Sequence, residues 1–219
     1  MSSNCEENFK KEFQDHFSCS TDVLVEKPLM VQMFVQRKYG ICDWHPIHFM
    51  GFLPENEQYL MFAAKISDPN VIALKTGHHS SLQVALPFTS NWTFSGKLYN
   101  VSHPKTYTRF FPPNIFDEAS KFFWNKKRLD IWKNTSSEFR ALLNQVEFLD
   151  TSEELLKPYY SQLDDPNIEL PEDEHGHHLQ KFCFLVLKLT DVTCYSQETM
   201  TQTKYNLIGD SWKTESSDI

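Results

Sequence analysis

Apolar residues recur along this chain with two periods, and the changes of period mark its elements. Phe9, Phe13 and Phe17 in "NFKKEFQDHF" stand at i, i+4 and i+8, one face of an amphipathic helix expected over 5–18. The pattern then shifts towards a period of two. "LMVQMFVQRK", "WHPIHFMGFL" and "EQYLMFAAK" predict three strands, with Gly51 as a bulge in the second and the turn "PEN" before the third. "SDPNVIALKTG" carries helix punctuation: Ser67 or Asp68 as cap, Pro69 in the first turn, Gly77 after the end. "SLQVALP" and "NWTFSGKLYNV" predict two further strands, the second with Trp92, Phe94, Leu98 and Tyr99 around Gly96. The main strands therefore fall within 27–104.

Two or three helices are expected within 116–160, among them "FDEASKFFWNKKRLDIW" and "TSSEFRALLNQ", the latter capped by Thr135 or Ser136. The stretch "KPYYSQLDDPNIELPEDEHGHH" reads as a loop, acidic and histidine-rich over 161–178. "KFCFLVLKL" and the hairpin "QTKYNLIGDSWK", turning at Gly209-Asp210, complete the strands over 181–214. Six or more antiparallel strands with hairpin spacing would close into a small barrel with helices outside it. The expected class is α+β, mainly antiparallel β, in a single domain over 1–219.

Composition narrows what such a domain can do. Hydrophobic residues make up 40% of 219 residues and include 18 Phe, enough for a sizeable core. The formal net charge is -8 with no long basic run, which works against nucleic acid or an anionic membrane as main partner. The six glycines argue against glycine-rich phosphate loops. Cys5, Cys19, Cys42, Cys183 and Cys194 are odd in number and lack CxxC spacing. They read as free thiols in a reducing compartment, with the cytoplasm expected and the nucleus as a second location. "MSSNCEENFKKEFQDHF" has no apolar signal core, and Asn91, Asn100 and Asn134 in N-x-S/T contexts read as chance matches.

Catalytic and metal chemistry find little footing. There is no GxSxG and no cysteine with an obvious local base, so no catalytic residue is assigned. His175, His177 and His178 beside Asp173 and Glu174 form the most metal-like cluster, but a polar loop gives it no rigid spacing, and no metal ligand is assigned. His45 and His48 lie at odd separation on a strand and point to opposite faces.

The order of elements, with "HPIHFMGFLPENEQYLMF", "SNWTFSGKLYNV", "RLDIWKNTSSEFRALL" and "FCFLVLKLTDV…YNLIGDSWK", resembles the FMN-binding split β-barrel of the pyridoxamine 5'-phosphate oxidase group. The resemblance runs from about Phe9 to Trp212 and is nearest to the oxidase-like branch of uncertain function first described in cyanobacteria and common in fungi. It implies a homodimer with FMN between subunits. It also implies where the cofactor contacts should stand. The two strand cations of the group fall on His45 and Met50. Its helix-opening Ser-Arg-Lys falls on Asp68, Pro69 and Asn70, or with a slip of one begins at Ser67. Its Gln and Arg fall on Asn91 and Thr93, and its Trp on Trp212.

These substitutions change the expected chemistry. Charge-assisted bonds to a phosphate contribute about 1.5–3 kcal/mol each, so losing about four cations removes most phosphate affinity. Pro69 has no N–H to offer, and Asp68 would occupy the helix amides and repel an anion. Two main readings follow, with metal binding through the Asp173–His178 loop as a third and weaker one. One is weak binding of FMN or a related flat ligand at a dimer interface, with oxidase turnover disfavoured. The other is a non-catalytic relative that keeps the barrel as an interaction or structural module.

Overall fold

The computed structural model describes residues 28–37, 42–76, 79–86, 90–103, 111–113, 120–144, 179–196, 199–209 and 211–218. Eight antiparallel strands carry the architecture: β1 (Leu29–Arg37), β2 (Cys42–Leu53), β3 (Asn56–Lys65), β4 (His79–Leu86), β5 (Ser90–Val101), β6 (Phe182–Ser196), β7 (Thr201–Ile208) and β8 (Ser211–Asp218). Among the described residues three helices accompany them: α1 (Pro69–Thr76), α2 (Ser120–Asn134) and α3 (Ser137–Asn144). The expected N-terminal helix and the acidic, histidine-rich loop lie outside the described residues.

The sheet order is β3-β2-β1-β4-β5-β6-β7-β8, and β3 also pairs with β6. Six strands therefore follow one another round a ring, and β7 and β8 continue beyond it. The length of β6 makes this split possible. Its first half, Phe182–Lys188, pairs with Lys65–Tyr59 of β3. Its second half, Asp191–Ser196, pairs with β7. Strand β5 runs beside both halves, from Ser90↔Ser196 to Val101↔Phe184.

Local sequence explains the hairpins and bends. Asn56 Oδ1 accepts the Gln58 N–H at 3.0 Å, so the "PEN" turn is held by its own side chain. Gly51 has φ 95° and sits where the β2–β3 register shifts. A side chain is strained in that conformation. The bulge exchanges faces along β2: Ile47, Phe49 and then Phe52 face the ring interior, while Met50 and Leu53 face out. Gly96 marks a second irregularity, between β5 and β6. A Cβ there would run into the Lys188 carbonyl oxygen.

Two apolar clusters follow from this alternation. The inner one fills the ring with Val31, Met33, Phe49, Leu60, Phe62, Trp92, Phe94, Leu185, Leu187 and Val192. Helix α1 lies against β1 and β5 and adds Val71 and Leu74 to it. The hairpin β7–β8 adds Tyr205 and Trp212. The outer cluster lies between the sheet and the helical layer, where Met61, Val101, Phe184 and Val186 meet Trp124, Leu129, Trp132 and Phe139. Each fully buried side chain of this size contributes about 1.5–3 kcal/mol.

The helical layer is joined by buried arginines. Arg128 is fully buried, and burial lowers its pKa to about 10. Its Nη1 donates to the Leu179 and Phe182 carbonyls at 2.8 and 3.2 Å, tying α2 to the start of β6. Arg140 Nη1 donates to Trp132 O at 2.6 Å and so satisfies the end of α2. Of the two expected caps of α3, Ser136 takes the role, its Oγ accepting the Phe139 N–H at 3.1 Å. Thr135 instead donates back to Ile131 O at 2.6 Å.

Candidate functional site

The first turn of α1 is the natural place to look for an anion site, because a helix start presents amides without intrahelical partners. Here those amides have a partner already. Asp68 Oδ1 accepts the Asn70 N–H at 2.8 Å, and the Asp68 carbonyl accepts the Ile72 N–H at 2.9 Å to open the helix ladder. Asp68 is thus the cap, while Ser67 is exposed one residue earlier. Burial pushes the Asp68 carboxyl above its usual pKa. The Asn70 amide and side chain, His45 and the Val71 amide act against that shift.

His45 lies on β2 opposite Met33 and is half-buried. His45 is near enough to act on the Asp68 carboxyl, so strand β2 and the start of α1 lie close to one another. Asn70 is fully buried. Geometry leaves both polar atoms of its side chain without a hydrogen bond, although the amide is close enough to Asp68 to favour the carboxylate. Met50 is also fully buried, on the outer face of β2 within the sheet–helix cluster.

The remaining assigned positions lie elsewhere. Asn91 pairs with Tyr195. Thr93 pairs with Ala85 and Thr193 and is half-buried, between Trp92 and Phe94, which both point inward. Those two rings stack at 6.2 Å and 15°. Trp212 pairs with Leu207 and is buried in the inner cluster, where it fixes the last hairpin to the ring. The structure therefore groups His45, Asp68 and Asn70, and separates them from Met50.

Two further groups, neither assigned to the ligand from the sequence, carry buried polar atoms. His48 packs edge-on against Phe139 of α3, with centroids 4.9 Å apart and planes at 77°. Its Nε2 is buried without a hydrogen-bond partner, and burial lowers its pKa. Asn100, on β5, is buried with both side-chain polar atoms unbonded. Among the described residues there is no group of three or more potential metal ligands. The Asp173–His178 cluster lies outside them.

No protein-family model and no curated protein matches this chain. Solved structures do. One is a pyridoxamine 5'-phosphate oxidase-related, FMN-binding protein from Nostoc punctiforme PCC 73102, with TM-score 0.57 and 15% identity over 90% of this chain and 89% of that one. Another is PhzG from Burkholderia lata 383, in complex with tetrahydrophenazine-1-carboxylic acid, with TM-score 0.56 and 12% identity over 100% of this chain and 93% of that one. The fold is the split barrel of the pyridoxamine 5'-phosphate oxidase-related proteins.

One of these split barrels is an FMN-binding protein, and the residues present here can be tested against that group. An FMN phosphate needs clustered donors with positive charge. At the start of α1 the chain presents a carboxylate, a proline without N–H and a buried neutral amide. The two buried arginines among the described residues are committed to backbone carbonyls in the helical layer. These residues do not fit a phosphate.

Proposed function

We propose that this protein is a homodimeric split-barrel ligand-binding protein that takes FMN or a related flat aromatic molecule weakly between subunits, without oxidase turnover on a pyridoxine phosphate. The observation that carries the reading is the whole-chain likeness to split barrels, one of them an FMN-binding protein, combined with an α1 start already filled by Asp68. The missing cations set the weakness of binding, since each lost charge-assisted bond removes about 1.5–3 kcal/mol. The cysteine spacing, with no CxxC pair, supports a reducing compartment such as the cytoplasm.

The purified protein is expected to be colourless and to quench FMN fluorescence only at high flavin concentration, with a sedimentation mass of two chains. Stoichiometric yellow protein with flavin bands would overturn the weak-binding reading. Failure to quench at millimolar FMN would overturn ligand binding itself.

A second reading, a non-catalytic interaction module, is favoured by the outer face of β1 and β2. Trp44 and Met30 are 54% and 57% exposed there, and Trp44 lies 4.9 Å from the Phe34 ring.

A further inference from the structure

A helix start ordinarily attracts anions through bare amides and the positive end of its dipole. In this chain α1 is closed from within. The Asp68 carboxylate takes the Asn70 amide at 2.8 Å, and the Val71 amide also favours it. Pro69 removes a further donor. His45, on β2, already acts on the same carboxyl, so the histidine at this end faces an internal negative charge. Asn70 adds a neutral, fully buried amide that favours the Asp68 carboxylate, where a cation would be needed to hold a phosphate. An uncharged Asn or Ser would cap the helix about as well as Asp. The carboxylate is therefore more than a cap requires.

We infer that Asp68 is a specificity-determining residue: it closes this end of the split barrel to phosphate-bearing ligands, so the molecule the barrel takes is a flat aromatic without a phosphate. This rests on the ligand-binding reading above. In its terms, Asp68 sets the ligand class: riboflavin and similar uncharged rings are accepted, and the phosphate of FMN adds no affinity.

The test uses the full chain and two capping variants, Asp68→Asn and Asp68→Ser, so that loss of the helix is not mistaken for loss of charge. FMN and riboflavin are titrated separately by fluorescence quenching. Inorganic phosphate is titrated in parallel and followed through the backbone amide shifts of Asn70 and Val71. The wild type is expected to bind the two flavins within about twofold of each other. The variants are expected to raise FMN affinity about tenfold, as removal of one nearby like charge allows, while leaving riboflavin unchanged. Phosphate should move the two amides in the variants and not in the wild type.

Tighter binding of FMN than riboflavin by tenfold or more in the wild type would overturn the inference and leave ligand binding intact. An unchanged FMN-to-riboflavin ratio in both variants would overturn it too. If neither flavin binds any of the three proteins, the ligand-binding reading fails. The phosphate titration then decides the closure: a response confined to the variants upholds it, and any other pattern overturns it.

Discussion

Strands β5 and β6 run side by side for most of their length, yet their two halves belong to different environments. In the half spanning Leu98–Val101 and Phe182–Leu187, both faces are buried. Leu98, Leu185 and Leu187 fill the ring, and Tyr99, Val101, Phe184 and Val186 lie under the helices. In the half spanning Trp92–Ser95 and Asp191–Ser196, only one face is buried. Trp92, Phe94, Val192 and Cys194 point into the ring, while Thr93, Ser95, Asp191, Thr193 and Tyr195 are half-buried and join neither cluster. The first half is scaffold. The second is a polar surface, and it holds Thr93, one of the positions the resemblance assigned to the ligand.

The sharpest break of this contrast is a truncation in each half. Phe184→Ala leaves a hole between ring and helices at a fully buried position. It should cost about 3–5 kcal/mol in a urea melt. Thr193→Ala, on the half-buried face, should stay within about 0.5 kcal/mol. Equal costs would mean that the second half is covered as thoroughly as the first.

The junction between the halves gives the next effect. Between Ser95 and Gly96 the pairing with β6 shifts, and Thr190 is the additional residue. Its hydroxyl lies 3.3 Å from the Ser95 carbonyl and 3.0 Å from the Asp191 carboxylate. Gly96→Ala would press a methyl group onto the Lys188 carbonyl. Backbone cannot yield there without altering the β5–β6 register, so a loss of about 1–3 kcal/mol is expected in the same melt. A neutral result would show that the two strands can slide apart without cost.

How much of this was legible in the sequence follows from the same division. "FCFLVL" is apolar without interruption and "KLTDVTCYS" alternates, so the change from two buried faces to one is written along β6. The bulge at Gly51 and the hairpin turning after Gly209 were also visible, since glycine marks both. The ring itself was harder to read. The β3–β6 pairing joins residues more than a hundred positions apart, and no local pattern encodes it. Asp68 could be recognised as one of two candidate caps, but not its proximity to His45, which depends on how β2 and α1 meet. Arg128 carried a weak signal, standing between Trp124 and Trp132 at i, i+4 and i+8, where a long charged side chain looks like part of a solvated face. Only the carbonyls at the start of β6 explain its burial.

His48 probes the scaffold side through pH. Burial alone lowers its pKa from 6.5, and its Nε2 has no acceptor beneath α3. The unfolded chain therefore binds more protons than the folded one just below that value. Stability should be complete above pH 6.5 and decline as pH falls through 6.5 towards the lower folded pKa. Because His48 is partly exposed, the decline should be smaller than the cost of the Phe184 truncation within the buried frame. His48→Leu should flatten the thermal midpoint over this range. An unchanged slope in the variant would assign it to other groups.

The smallest expected effect is at Asp68, and its size is the point of the measurement. The folded pKa lies above 3.8 because of burial, so the folded state holds the proton to higher pH than the unfolded chain. That contribution favours folding as pH falls into the window just above 3.8 and disfavours it as pH rises through the folded pKa. At neutral pH the ionised carboxylate is thus a slight burden on the fold, offset by its bond to the Asn70 amide. Asp68→Asn keeps a capping oxygen and removes the charge. Its thermal midpoint at pH 7 should match or slightly exceed the wild type, within about 0.5 kcal/mol, because Asn and Asp cap comparably. A large loss would mean that the charge itself holds α1 against β1 and β5, and that its place in the fold is structural. A neutral or positive change, beside a gain in phosphate response, separates the two halves of the argument: the barrel does not need this carboxylate, and the choice of ligand does.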